Sequence, residues 1–186
     1  MKYLKLSLLG LFAFLLVACQ PAALIVHSGS EESQVLALKG SQLSLSEPLM
    51  VGAGKARVFI QDGKMRSGYD VNEYKAQCNF EIESVAHQGV TIKPDTFEIR
   101  RVQRLHESVV LRQSVEVAAL SLSGIFSDSG GPSASFMGYH FWLASARQPQ
   151  VRRMTCHGVY AEPYDLQPPT LQEIREALGN IAQFRR

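Results

Sequence analysis

The spacing of apolar residues changes character along the chain. From Leu6 to Val17 it is almost continuously apolar, broken only by Ser7 and Gly10. Ala22 to Val26 is a second, shorter apolar stretch, followed by the polar, turn-prone Ser28-Gly29-Ser30-Glu31-Glu32-Ser33. Beyond Val35 short alternating runs take over. Leu43 and Leu45 alternate with Ser44 and Ser46; Cys78, Phe80 and Ile82 alternate with Asn79, Glu81 and Glu83; Phe97 and Ile99 alternate with Glu98 and Arg100. A period of two turns one face of the chain to a core and the other to solvent, which predicts half-buried strands. Between Lys55 and Gln61 the β-formers Val58, Phe59 and Ile60 fall on both parities, so this strand is expected to be buried on both faces. Further strands are expected within Val109 to Leu122, from Tyr139 to Ala144 around Trp142, and from Val151 to Cys156, where Met154 and Cys156 share a parity.

Turn signals separate these runs: Gly52-Ala53-Gly54, Gln88-Gly89, Pro94-Asp95 and the Ser/Gly/Pro-rich stretch from Ser127 to Ser135. Asp62-Gly63 is a good hairpin dipeptide. The polar residues from Lys64 to Ala76 read as a long loop, however, so no return strand is expected there. The chain ends in another style. Thr170-Leu171-Gln172-Glu173 is a capping box, in which the threonine hydroxyl and the glutamate each satisfy a free donor at a helix start. Leu171, Ile174 and Leu178 then share a helical face, and Gly179 ends or weakens the helix. The expected fold is mainly β: an antiparallel β-sandwich or barrel with one short C-terminal helix.

The first apolar run carries an address. Lys2 and Lys5 precede it, and at about twelve residues it matches a signal-peptide core rather than a membrane span. Leu16-Val17-Ala18-Cys19 closes it. This stretch resembles the lipobox of bacterial lipoproteins. The resemblance implies cleavage before Cys19, a diacylglyceryl group on the Cys19 thiol and usually a further acyl chain on its amine. Several chains on one residue anchor a protein durably where a single chain does not. By resemblance to Gram-negative lipoproteins, Gln20 after the cysteine implies the outer membrane, with the body facing the periplasm. Residues 1–18 are therefore read as a signal peptide, 19–34 as a tether and 35–186 as a single β-rich periplasmic domain.

Composition refines this picture. The charge excess of the full chain comes from Lys2 and Lys5; residues 19–186 carry equal numbers of basic and acidic side chains, so no nucleic-acid partner is expected. Cys78 and Cys156 are the thiols left after Cys19. In an oxidising compartment they form one bridge, or else remain two separate buried thiols. A metal pair is not expected, because no CxxC, HxH or HExxH spacing accompanies them, and no cofactor motif is present. A further likeness covers most of the mature part. Gly54-Lys55-Ala56-Arg57-Val58-Phe59-Ile60-Gln61, Cys78, Pro94-Asp95 with Phe97, and Arg152-Arg153-Met154-Thr155-Cys156 resemble an uncharacterised family of proteobacterial lipoproteins. That family implies an envelope protein and supplies no catalytic residues.

Two constellations bear on chemistry. Ser127-Asp128-Ser129-Gly130-Gly131-Pro132 resembles the nucleophile segment of trypsin-like proteases, and His87 and Asp95 complete the order His-Asp-Ser. The reading is rejected: Ser127 replaces a glycine, His87 and Ser129 are too close in sequence, and the chain is too short for two barrels. Arginines gather at Arg100, Arg101, Arg104 and Arg112 and again at Arg147, Arg152 and Arg153. On neighbouring strands, Arg100, Arg101, Arg104, Arg152 and Arg153 would form a basic patch for an anionic glycan or lipid phosphate. The plainer reading pairs these arginines with Glu98, Glu107 and Glu116 on solvated faces. His157, next to Cys156, is expected on the outer face of its strand. The expected function is a lipid-anchored envelope module that binds or scaffolds another envelope protein, glycan or lipid. A lipid or small-ligand carrier is the alternative, and a hydrolase using Ser129 ranks last.

Overall fold

The computed structural model describes residues 27–68, 70–110, 133–162 and 164–185. Cys19, Arg112 and Ser129 lie outside them, as does most of the strand expected from Val109 to Leu122. The elements run in the order α1 (His27–Leu36), β1 (Gln42–Leu45), β2 (Leu49–Val51), β3 (Arg57–Gln61), β4 (Lys64–Arg66), β5 (Gln77–Ile82), β6 (Val90–Ile92), β7 (Asp95–Val110), β8 (Ser133–Ala144), β9 (Val151–His157), α2 (Leu171–Leu178) and β10 (Ala182–Arg185). Eight strands form one antiparallel sheet in the order β10-β1-β7-β8-β9-β5-β3-β4, and β2 pairs with β6 separately. The large sheet curls into a half-barrel, so the mainly-β antiparallel fold with a short C-terminal helix is observed.

The inner face carries the alternating apolar residues. Leu43, Phe97, Ile99, Tyr139, Phe141, Met154, Phe80 and Ile60 are all fully or almost fully buried. Helix α2 fills the hollow with Ile174, Ala177 and Leu178. Its start is the expected capping box: Glu173 N–H donates to the Thr170 hydroxyl at 3.1 Å, and Thr170 N–H donates to the Glu173 carboxylate at 2.7 Å. Cys78 and Cys156 stand directly opposite each other on β5 and β9 and form a disulfide, S–S 2.08 Å.

Four local expectations are corrected. The hairpin set aside at Asp62-Gly63 exists: Gln61 pairs with Lys64, and both turn residues have positive φ, 53° and 67°. That is the backbone such a two-residue turn requires. β4 escaped notice because a three-residue, largely exposed edge strand has no apolar alternation to read. The stretch expected as a tether is helical from His27 onward, held by fully buried Val35 and by an ion pair between Glu32 and Arg104. β10 was not expected; it adds four residues to the open edge of β1. Strand β5 was expected to leave Asn79 and Glu81 in solvent, yet every residue from Gln77 to Ile82 is buried.

The tip of the β3–β4 hairpin rests on the end of α2. Gly63 N–H donates to the Ala177 carbonyl at 3.0 Å. Gly179, with φ 55°, ends the helix there, and a Cβ on it would lie 2.6 Å from the Gly63 Cα. This contact ties one margin of the sheet to the helix that precedes the other.

Candidate functional site

The second face of the sheet is polar, and its residues line up in rows across β7, β8, β9, β5 and β3. One row reads Arg101, Trp142, Arg153, Glu81, Arg57; the next reads Gln103, His140, Thr155, Asn79, Phe59. Loops crowd part of this face. The Gln61 side chain donates to the Asn72 carbonyl at 2.8 Å and accepts from Asn72 N–H at 2.9 Å, which holds the segment after β4 in place. Tyr160 packs edge-on against Phe136, and its N–H donates to the Glu73 carbonyl. Gln77, Asn79, Thr155 and His157 are buried on this face although they point away from the apolar core, and Glu81 is buried there beneath Arg57 and Arg153.

Trp142 is the hub of the first row. The guanidinium carbons of Arg101, Arg152 and Arg153 lie 4.6, 5.2 and 5.4 Å from its ring centroid. Each is within the range in which a cation is attracted to the negative face of an aromatic ring. Arg153 also donates from Nε and Nη2 to one Glu81 oxygen, at 3.2 and 3.0 Å, and Arg57 approaches that oxygen at 3.4 Å. The cluster thus holds four cations and one carboxylate, which only Arg57 and Arg153 contact, so it carries an excess of positive charge.

A β-bulge decides which arginines belong here. The β7–β8 register shifts between Ile99 and Arg101, with Arg100 as the extra residue. The bulge places Arg101 beside Trp142 on the second face and puts Arg104 in register with Tyr139 of the inner face. The five-arginine patch expected from sequence is thus divided. Arg101, Arg152 and Arg153 meet at Trp142. Arg100 pairs with Glu98 at 3.8 Å, as in the plainer reading, and Arg104 pairs with Glu32 on α1. Arg147 pairs with Asp95. Trp142 as the centre, and Arg57 and Glu81 as members, were not singled out from sequence. Cross-strand register is what brings them together.

Two histidines are sealed in behind the cluster. His140 Nε2 lies 3.5 Å from an Arg153 nitrogen that can only donate, so Nε2 accepts. Its Nδ1–H then donates to the Thr155 hydroxyl at 2.8 Å. Burial, and then the charge of Arg153, push His140 down to about 4. Burial likewise pushes His157 down to about 4, with smaller effects from His140 and Arg57. His157 was expected at the surface; it is 8% exposed and stacks on Phe136 at 4.2 Å between centroids.

Both histidines stay neutral in the folded chain from their ordinary value of 6.5 down to about 4, while the unfolded chain takes up protons over that window. Stability is therefore full above pH 6.5 and falls as the pH drops. Between pH 7 and pH 5 the loss is on the order of 1–2 kcal/mol per histidine. Urea midpoints at the two pH values check this, and His157→Gln should flatten the dependence. Equal midpoints would contradict the burial of both rings.

Asp95 spends its carboxylate on Ser145, Gln148, Thr96 N–H and Arg147. Burial would raise its pKa, but these hydrogen bonds outweigh it and hold the carboxyl below the usual value. Ser129 lies outside the described residues. Among the described residues no group of three or more His, Cys, Asp or Glu side chains is placed to hold a metal. Among them, too, no helix is long and apolar enough to cross a membrane. No protein-family model, curated protein or solved structure matches the chain.

Proposed function

We propose that this chain is a non-catalytic binding module of the bacterial cell envelope, anchored to the outer membrane through acyl chains on Cys19. Its ligand carries an anionic group, a phosphate on a glycan or lipid, received by Arg101 and Arg152 over the Trp142 ring. The observation that carries this reading is the trio of guanidiniums around a half-buried tryptophan. Such a site offers fork-shaped donors for phosphate and a flat apolar surface for a sugar ring. The disulfide fits an oxidising compartment, where bridges persist. The hollow of the half-barrel is filled by α2, which favours a surface-binding module over a carrier with an internal cavity.

Trp142 is the only tryptophan, so its emission reports directly on the site. A bisphosphorylated disaccharide should shift that emission saturably, and its dephosphorylated form should not. Arg101→Gln with Arg152→Gln should weaken the response about tenfold, and raising the salt should weaken it further. In the same cells, labelled palmitate should enter the wild type and not Cys19→Ala. A titration indifferent to the phosphates, or a Cys19→Ala chain still carrying label, overturns the corresponding half of the reading.

A further inference from the structure

A groove of about 400 Å³ opens beside the β3–β4 hairpin. That volume lies in the range of small-molecule sites. Met50, Val58 and Phe59 supply an apolar floor, and Met50 is 67% exposed, unusual for a thioether with no partner to cover it. Gly68 leaves the Phe59 ring uncovered: a Cβ there would already sit 3.3 Å from ring atom Cε2. The charged residues lining the groove are all cations, Lys55, Arg57 and Arg66. Asp62 lies 3.9 Å from Arg66 and Glu81 3.4 Å from Arg57, and neither lines the groove. The Arg66 Nε–H is buried with no acceptor, so this guanidinium is not fully paired within the fold.

We propose that this groove binds a single-chain alkyl phosphate, its hydrocarbon chain over Met50, Val58 and Phe59 and its phosphate between Arg57 and Arg66. Apolar surface and cationic rim are both needed. The chain supplies affinity through burial, and the two guanidiniums select a phosphate over a neutral head. The groove shares Arg57 with the Trp142 cluster, but its apolar floor and Arg66 lie outside that cluster, and its test reads neither tryptophan emission nor the lipid on Cys19.

The test uses the full-length protein in phosphatidylcholine nanodiscs and a dodecyl phosphate carrying a photoreactive diazirine in its chain. Cross-links should map to 49–59 and 65–68, and unlabelled dodecyl phosphate should suppress them while dodecyl maltoside does not. Met50→Glu and Arg66→Gln, at positions not needed for the core, should each lower the labelled fraction about tenfold at limiting probe. Their circular dichroism should match the wild type. Equal suppression by the maltoside would remove the phosphate from the proposal and overturn it. Wild-type labelling of Met50→Glu would overturn it as well.

Discussion

Gly138→Ala is expected to cost about 3–5 kcal/mol, enough to unfold most of the protein under mild denaturant. Gly138 lies within β8, opposite His157 of β9. A Cβ at this position would lie 2.2 Å from the Cys156 carbonyl oxygen and 3.1 Å from its carbon and from the His157 Cα. All three are backbone atoms, so no flexible side chain can yield. β9 cannot retreat easily either, because Cys156 is bridged to β5 on its far side. The reason for glycine here is space, since Gly138 is not among the positive-φ residues. Equilibrium unfolding in urea measures the effect. A midpoint within experimental error of the wild type would show that β8 and β9 separate freely at this point.

The second large effect belongs to the disulfide. Cys78 and Cys156 are separated by 78 positions. Closing a loop of that size restricts the unfolded chain by about 4–5 kcal/mol in the chain-entropy model. Cys78→Ala with Cys156→Ala should therefore lower Tm by about 10–15 °C for a domain of this length. Alanine is the cleaner choice, because both side chains are fully buried and a serine hydroxyl there would add an unmet polar group. Non-reducing gels should show a faster band in the wild type alone. Retention of the wild-type Tm in the double variant would mean that the β5–β9 pairing carries the fold without its bridge.

Most of the sheet was legible because burial is one-sided. Leu43 and Leu45, Phe97 and Ile99, and Met154 and Cys156 alternate in sequence and all lie on the inner face. The C-terminal helix was legible from Thr170 and Glu173, since a capping box is a local contract between two residues. What escaped was set by contacts distant in sequence. The polarity of Asn79 and Glu81 suggested solvent, but both are buried, Glu81 beneath the Arg57 and Arg153 side chains. Asn79 has both side-chain polar atoms buried without a partner, a cost that no reading of alternation would assign to it. The arginine cluster was half legible. Its members are neighbours only through strand register, and one bulged residue, Arg100, sorts Arg101 from Arg104.

Among the described residues the unclosed sheet has two margins. One is β4, three residues long and bearing Lys64 and Arg66; the other is β10, four residues long and ending at Arg185. Short, cationic margins repel one another and offer too few backbone groups in line to template a neighbour. Among the described residues these margins therefore offer a second copy little to pair with, and edge-to-edge growth of the sheet is disfavoured.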